Sequence, residues 1–380
     1  TVNLEKNSAR SPIKYVTPPG IQREIDFSAP QAVQQNEQSL SVLVCDLRDG
    51  DARGAFKNIS TDLRRYGKLR MFLHAEPLKV DLGNGTDLKD DELVAFIRLG
   101  NDFTDNFYQI EMPLRVSSLS ARTAEDIWLA DNEIELPLAL LSKIKSLNIA
   151  GDGSIVPDAN GIAFLNESAL GSSKSRLNIG IKGNPNFGLV RTLMVGIKNN
   201  HTDRVRGEVW FNELRLADMN NEGGMAAVLN IDTNLADFAT ISATGRMSTI
   251  GFGALEEAPQ ERSREDTQQY NIVTNFSLGK LLPKKWGINL PFNYAVGEEL
   301  ITPEYDPFNQ DIRLQQLIGN TNDAAERANM RNRAIDFTKR KSINFIGVKK
   351  DRAPEQKQHF YDVENLTLSY SFNETEHHDY

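Results

Sequence analysis

The sequence predicts an all-β protein, with a jelly-roll-like β-sandwich inserted in a chain of transmembrane β-barrel strands. Three observations carry this. Through residue 217 the chain is built of short runs rich in Val, Ile, Leu and Phe, each bounded by Gly, Asn, Asp or Pro. After residue 217 the runs lengthen and alternate strictly, and their polar positions are mostly uncharged Asn, Ser and Thr. No apolar stretch approaches the roughly 18 residues of a membrane helix, and the mean hydropathy is −0.44, a value that a polar–apolar alternating barrel also gives.

The order of elements divides the 380 residues into three segments. Residues 1–38 read as an extended lead-in, because Pro12, Pro18, Pro19 and Pro30 remove ladder donors. Residues 39–217 form the sandwich. Its expected strands are Ser39–Leu47, Lys68–Ala75, Leu93–Leu99, Phe107–Met112, Arg176–Lys182, Thr192–Lys198 and Glu208–Leu216. Two short helical runs interrupt them. Asn58–Tyr66 places Ile59, Leu63 and Tyr66 on one helical face with Ser60 as a cap, and Leu138–Ile144 is the second. Seven or eight strands with irregular connections point to a jelly roll.

Residues 218–380 carry about six long strands with polar loops at 249–268 and 302–340, the second holding a helix over Asn322–Phe337. In a barrel reading the period of two assigns a face to each residue. Ala239, Ile241 and Ala243 face lipid, and Thr240, Ser242 and Thr244 face the lumen. In the next strand Ile272 and Phe276 oppose Asn271 and Asn275; after it Leu290 and Phe292 oppose Asn289 and Asn293. At the end Leu366, Leu368, Tyr370 and Phe372 face lipid, against Thr367, Ser369 and Ser371. Six strands cannot close such a barrel. The chain starts at Thr1 and ends on a strand, so the expectation is an internal piece of something longer.

Candidate chemistry is thin. The formal charge is −9 and no Lys/Arg block occurs, which disfavours nucleic acid as a partner. The single cysteine, Cys45, lies in an alternating run and reads as a small core residue. Asp46, Asp49 and Asp51 around Gly50 suggest a Ca²⁺ loop only weakly, since the distal bidentate Glu is missing. Asp87, Asp90, Asp91 and Glu92 beside Gly83–Gly85 read as loop charge, as do Glu256, Glu257 and the Glu261–Asp266 run. His74 beside Glu76 is a weak general-base pair, and the adjacent His377 and His378 would face opposite sides of a strand. Gly251-Phe252-Gly253 lacks the spacing of a phosphate cradle. Val209, Phe211 and Leu214 are expected to fill a core. No complete nucleophile, acid/base or ligand set emerges, so the expectation is no catalysis, cofactor or metal.

Several long stretches resemble the SprA/Sov family of the Bacteroidetes type IX secretion system. They are DLRDGDARG from Asp46, DLRRYGKLRMFLHAE from Asp62, GEVWFNELRLADM from Gly207 and LADFATISATGRMSTIGFGALE from Leu235. QERSREDTQQYN from Gln260, LGKLLPKKWGINLPFNYAVGEELITPEYDPFNQDI from Leu278 and NLTLSYSFNETEHHDY at the end continue it. The resemblance implies a very large single-chain barrel in the cell outer membrane, with parts in the periplasm or outside the cell. It implies export of folded cargo, a link to gliding motility, and association with a PorV-type shuttle barrel and a plug protein. The residues also admit a carbohydrate-binding sandwich fused to an uptake barrel, which would expose aromatics on one sandwich face. They admit a secreted β-rich hydrolase as well, which would need two carboxylates about 5–10 Å apart in a groove.

Overall fold

A computed structural model of the chain describes residues 2–6, 13–22, 25–26, 33–34, 38–78, 86–150, 155–321, 323–353 and 357–380. Gly83–Gly85, Pro12, Pro30 and Asn322 lie outside the described residues. The protein is all-β, with few helices. The chain divides into two compact units, Thr1–Asn220 and Asn221–Tyr380.

The first unit opens with β1 (Val2–Lys6), β2 (Ile25–Asp26), β3 (Val33–Gln34), β4 (Gln38–Leu47), β5 (Ala52–Thr61) and β6 (Tyr66–Glu76). Next come β7 (Thr86–Asp87), β8 (Leu93–Gly100), β9 (Phe107–Pro113), α1 (Ala124–Ile127), β10 (Glu133–Pro137) and α2 (Ala139–Ala150). It closes with β11 (Ala163–Asn166), β12 (Asn178–Lys182), β13 (Val190–Asn199) and β14 (Val205–Met219). Two six-stranded sheets result, one ordered β1-β4-β14-β6-β10 with β7 also on β14, the other β11-β12-β9-β8-β13-β5. Inward side chains of both sheets share one hydrophobic cluster: Val42, Met71, Leu73 and Val209 from the first, Ile97, Tyr108, Ile110, Ile179 and Ile197 from the second. The alternation decides which residues these are, since each strand sends every second side chain inward.

The opposite face of the first sheet has its own cover. Phe72 and Trp210 pack there with Ile13, Tyr15, Ile127 and Trp128. The 13–22 segment is pinned by Trp128, whose indole N–H donates to the Val16 carbonyl at 2.7 Å. Asn212 donates to the Tyr15 hydroxyl at 2.7 Å. The lead-in is thus partly a strap built on two polar anchors and an aromatic cluster.

Asn58–Tyr66 is not helical. Residues up to Thr61 are edge strand β5, paired with β13 from Val190↔Thr61 to Lys198↔Ala52. A turn at 64–65 follows, held by Asp62, which accepts from the Arg64 amide at 2.9 Å and from its guanidinium. Leu63 points inward because of that turn, and this mimics a helical stripe. Leu138–Ile144 does begin a helix, α2. Cys45 is half-buried rather than core, and Leu214 is exposed, next to a left-handed Glu213 (φ 52°) where β14 shifts register.

The second unit is one antiparallel sheet with β15 (Ala226–Leu235), β16 (Ala239–Ser248), β17 (Glu265–Ser277), β18 (Ile288–Asn289), β19 (Pro291–Pro303), β20 (Asp336–Lys350) and β21 (Thr367–His378). Its order is β15-β16-β17-β19-β20, with β18 and β21 also on β20. The long strands therefore run up and down in sequence order. The expected strand Ile288–Val296 breaks at Leu290, because Pro291 brings no amide to the ladder. Helices α3 (Leu314–Asn320) and α4 (Ala324–Asn332) replace the single helix expected over Asn322–Phe337. Asp323 caps α4 through the Ala325 amide at 3.0 Å, and residues from Asp336 are strand.

Candidate functional site

The second sheet's two faces differ in chemistry. Antiparallel partners share a face, so the register extends each strand's alternation across the sheet. One face carries the row Leu235, Ala239, Phe276, Phe292, Phe345 and Tyr370. Phe292 belongs to it on both sides, through Phe276 and through an aromatic contact of 4.9 Å with Phe345. Phe276 and Phe292 stack at 6.0 Å, and Phe238 joins Phe276 at 5.9 Å. The next row on this face is Thr233, Ile241, Thr274, Tyr294, Ile343 and Phe372, followed by Ile231, Ala243, Ile272 and Val296. Leu290 and Leu366 sit just outside the strands, and Leu368 pairs with Val348 beyond a register shift at Gly347, whose φ is +78°.

The opposite face holds an uncharged ladder. Asn275 donates to Thr240 at 3.3 Å, Asn293 to Asn275 at 2.8 Å, and Asn344 to Asn293 at 3.0 Å; Ser371 donates to Asn344. Four adjacent β–β boundaries are thereby crossed by side chains alone. Ser242 and Asp232 extend it, at 2.6 Å. Thr244 and Asn271 lie level on the same face. Asn289 pairs with Lys349, as Thr367 does from the other side, and Ser369 accepts from the Gly347 amide at 3.1 Å.

Among the described residues, charge on the apolar face gathers toward the far end of the later strands, with Lys350, the partner of Ile288, at the opposite end of β20. At the far end Glu298 and Lys339 pair at 2.7 Å, with Lys341 facing Glu374 and Lys339 facing Glu376. Leu300 and Phe337 lie beyond that band. Within the sheet, among the described residues, Ala239 alone is buried.

Elsewhere the residues singled out by sequence are engaged structurally. His74 is fully buried, with Nδ1 2.8 Å from the Ile127 carbonyl and Nε2 3.0 Å from Glu76. The carbonyl can only accept, so Nδ1 carries hydrogen and the second nitrogen shares a proton with Glu76. Nothing reaches this pair from solvent. Trp128 and Trp210 are buried beside it, so neither forms an exposed aromatic platform. Asp46 pairs with Arg204 at 2.9 Å, Asp87 with Arg206 at 2.8 Å, and Asp90 and Asp91 with Arg115 at 3.3 and 3.1 Å. Gly50 (φ +71°) makes the Asp49–Gly50 turn, and Asp51 lies 3.9 Å from Arg53. Among the described residues no three His, Cys, Asp or Glu side chains converge as metal ligands. His377 and His378 point to opposite faces, against Thr338 and Phe337.

Sequence reasoning passed over β15 and β20, which supply one edge and a central stave of this sheet. Their alternation was present: Leu229 and Ile231 against Asn230 and Asp232, Ile343 and Phe345 against Ser342 and Asn344. Lys339 and Lys341 on the apolar side obscured the second.

Together these features describe an all-β protein built of antiparallel sheets with few helices. The chain matches the family model of the SprA N-terminal region, described as a motility related/secretion protein, over residues 1–318, and it belongs to that family. No curated protein matches it.

Proposed function

We propose that the second unit's sheet is a stretch of wall in a giant outer-membrane β-barrel that exports folded proteins. The first unit is then a β-sandwich, jelly-roll-like, inserted ahead of those strands. One observation carries the reading: the apolar band crosses the sheet obliquely. On β21 it ends at Phe372, before Glu374; on β16 it reaches Met247. Ile241 is the β16 residue level with Phe372, and Met247 lies six residues further along. Barrel strands tilt by about 35–45° and lie about 4.8 Å apart. A band of constant height should therefore slide by about 4 Å, or about 1.2 residues, per strand. Four strand steps separate β16 from β21, which gives about 5 residues. A flat soluble layer has no reason for such a slide.

In this reading Ala239, Ile241, Ala243, Ile272, Phe276, Leu290, Phe292, Leu366, Leu368, Tyr370 and Phe372 meet acyl chains. The ladder of Thr240, Asn275, Asn293 and Ser371, with its neighbours Ser242, Thr244, Asn271, Asn289, Thr367 and Ser369, lines a wet lumen. Uncharged amides and hydroxyls suit passage of a folded surface, since they hydrate without holding charged cargo. The protein is a conduit and not an enzyme. Its partners would be lipid, the cargo, a PorV-type shuttle barrel and a plug protein, at the cell outer membrane. Single cysteines test this in a Cys45→Ser background. Ile241→Cys should react with a membrane-partitioning maleimide and Ser242→Cys with a charged one. Equal labelling of both by the charged reagent would sink the proposal.

A further inference from the structure

We propose that the outer face of the second sheet of the N-terminal unit holds a binding site for one or two hexose units of a glycan. The site lies wholly in that unit and does not depend on the barrel reading. A cavity of about 350 Å³ opens on that face, lined by β5, β8, β9, β11, β12 and β13 and by the Asp158–Ile162 turn. This falls within the roughly 300–1,000 Å³ usual for small-ligand sites.

Its floor follows from the sequence. Gly180 on β12 and Gly196 on β13 sit on the outward face of the same sheet, with β9 and β8 between them, where a side chain would otherwise stand. A Cβ on Gly196 would lie 2.5 Å from the Phe96 ring, and one on Gly180 would lie 2.5 Å from the Phe164 ring. The rings thus lie flat against the sheet in the space those glycines vacate. Glycine in a strand costs about 0.5–1 kcal/mol against alanine, so two such positions on one face need a reason. The close approach of the rings is one, and the hollow they leave is its consequence.

The wall is a polar network fixed before any ligand arrives. Arg98 donates Nε and Nη2 to the Gln109 carbonyl oxygen at 2.8 and 2.6 Å, and Nη1 to the Phe103 carbonyl at 2.7 Å. Its guanidinium lies 4.0 Å from the Phe107 ring centroid, and burial lowers its pKa. Gln109 passes the chain on, donating to Glu111 at 2.6 Å, with Lys198 4.0 Å from the same carboxylate. Across the hollow, Asp158 accepts the Asn160 and Ile162 amides and holds the rim turn. Lys182 has no ion-pair partner among the described residues and faces this turn, near Gly161.

The mixture of groups selects the ligand class. Cations, carboxylates and amides alternate around a partly exposed aromatic ring, Phe164. A simple anion would meet Glu111 and Asp158 as well as the three cations. A flat apolar ligand would strip water from five charges without replacing their hydrogen bonds. A sugar offers hydroxyls that both donate and accept, and a C–H face for the ring.

The whole chain in detergent should be titrated by saturation-transfer NMR and calorimetry with maltose, cellobiose and lactose, and with inorganic phosphate as the contrast. At least one disaccharide should bind. The rim substitutions Asn160→Ala and Lys182→Ala together should weaken it at least tenfold. Glu111→Gln, which keeps the shape, should weaken it several-fold. Binding of phosphate alone, no binding of any disaccharide, or affinities within twofold across these variants would overturn the proposal.

Discussion

The sharpest consequence of the two-faced sheet is a neighbour pair on β16. Ile241 lies on the apolar face between Thr233 and Thr274, and Ser242 on the polar face between Asp232 and Val273. Take Ile241→Arg and Ser242→Arg in the proposed outer-membrane barrel. The apolar column of β16 runs from Ala239 to Met247, with Ala243 at its centre. A rise of about 3.4 Å per residue at a tilt of about 40° puts Ile241 roughly 5 Å from that centre along the membrane normal. That is well inside an apolar band about 25 Å tall, where an arginine costs about 2–4 kcal/mol. Ser242 already donates to Asp232 at 2.6 Å. An arginine there would keep a carboxylate across the strand and a wet environment, at a cost below about 1 kcal/mol. The assay is the fraction of protein that assembles in the outer membrane, read by resistance to extraction and by mobility shift on heating. Ile241→Arg should deplete it strongly, with Ser242→Arg near wild type. Equal effects, or a worse Ser242→Arg, would refute the assignment of faces.

The same contrast should hold at Leu368→Arg against Ser369→Arg, read by the same extraction assay. Asn293→Ala removes two ladder hydrogen bonds, each worth about 0.5–1.5 kcal/mol, so the heat-dissociation temperature of the proposed barrel should fall measurably while Asn230→Ala, which has no such bonds among the described residues, leaves it unchanged. In the first unit Ile97, fully buried, should cost about 2–5 kcal/mol on change to Ala, seen in urea unfolding followed by the buried tryptophans. The Glu135 carboxyl is held down to about 2, by hydrogen bonding to Lys174 first and Lys68 next. A depressed carboxylate stabilises fully above its ordinary range, near 4.3, and the gain fades as pH falls through about 2. Wild type and Glu135→Gln should therefore differ in urea midpoint at pH 7 and converge toward pH 2; a constant gap would refute this.

What could be read from the sequence divides by periodicity. β8 was legible from its apolar run, read as Leu93–Leu99 and found as Leu93–Gly100, while β17 was legible from its alternation only from Tyr270 on and begins at Glu265, inside a stretch read as loop. Edge strand β5 was not, since its side chains are mostly exposed and only pairing with β13 makes it a strand; the turn at Leu63 then supplied a false helical stripe. Tertiary context outweighs local pattern at such edges. The short β10 and β11 carry too few residues to show a period. For the candidate site, single-strand faces were readable, but the asparagine ladder was not. It depends on Thr240, Asn275, Asn293, Asn344 and Ser371 falling level across five strands, and register is a property of pairs. The hollow on the second sheet of the first unit was hidden for the same reason: Gly180 and Gly196 acquire meaning only from the rings that reach them.

The two units solve the same problem differently, and the difference bears on what the second must contact. Each sheet of the first unit has an inner face buried against the other, so Ile97, Tyr108, Met71 and Val209 leave water altogether. Among the described residues of the second unit, Asn221–Tyr380, no second sheet packs on its sheet. Leu229 and Ile231 on β15 stay 62% and 48% exposed, and Leu368 and Tyr370 on β21 stay 71% and 59% exposed. Those residues lie on the two strands with unpaired edges among the described residues. In water, two long edges carrying exposed apolar side chains are a template for aggregation. Edge charges would have blunted it, yet the central part of β15, Leu229-Asn230-Ile231, carries none. In a barrel wall the same features are consistent: further strands complete the ladder at both edges, and acyl chains take up the apolar face. Extending the sheet by synthetic pairing is the direct check. A chain given detergent micelles but no neighbouring strands should protect amides of β16, β17 and β19 from hydrogen exchange. The outward amides of β15 and β21 should exchange freely, then slow when the flanking strands are supplied in the intact barrel. Protection of those edge amides in the isolated chain, at monomer concentrations, would mean that the sheet is closed on itself and not a segment of a larger wall.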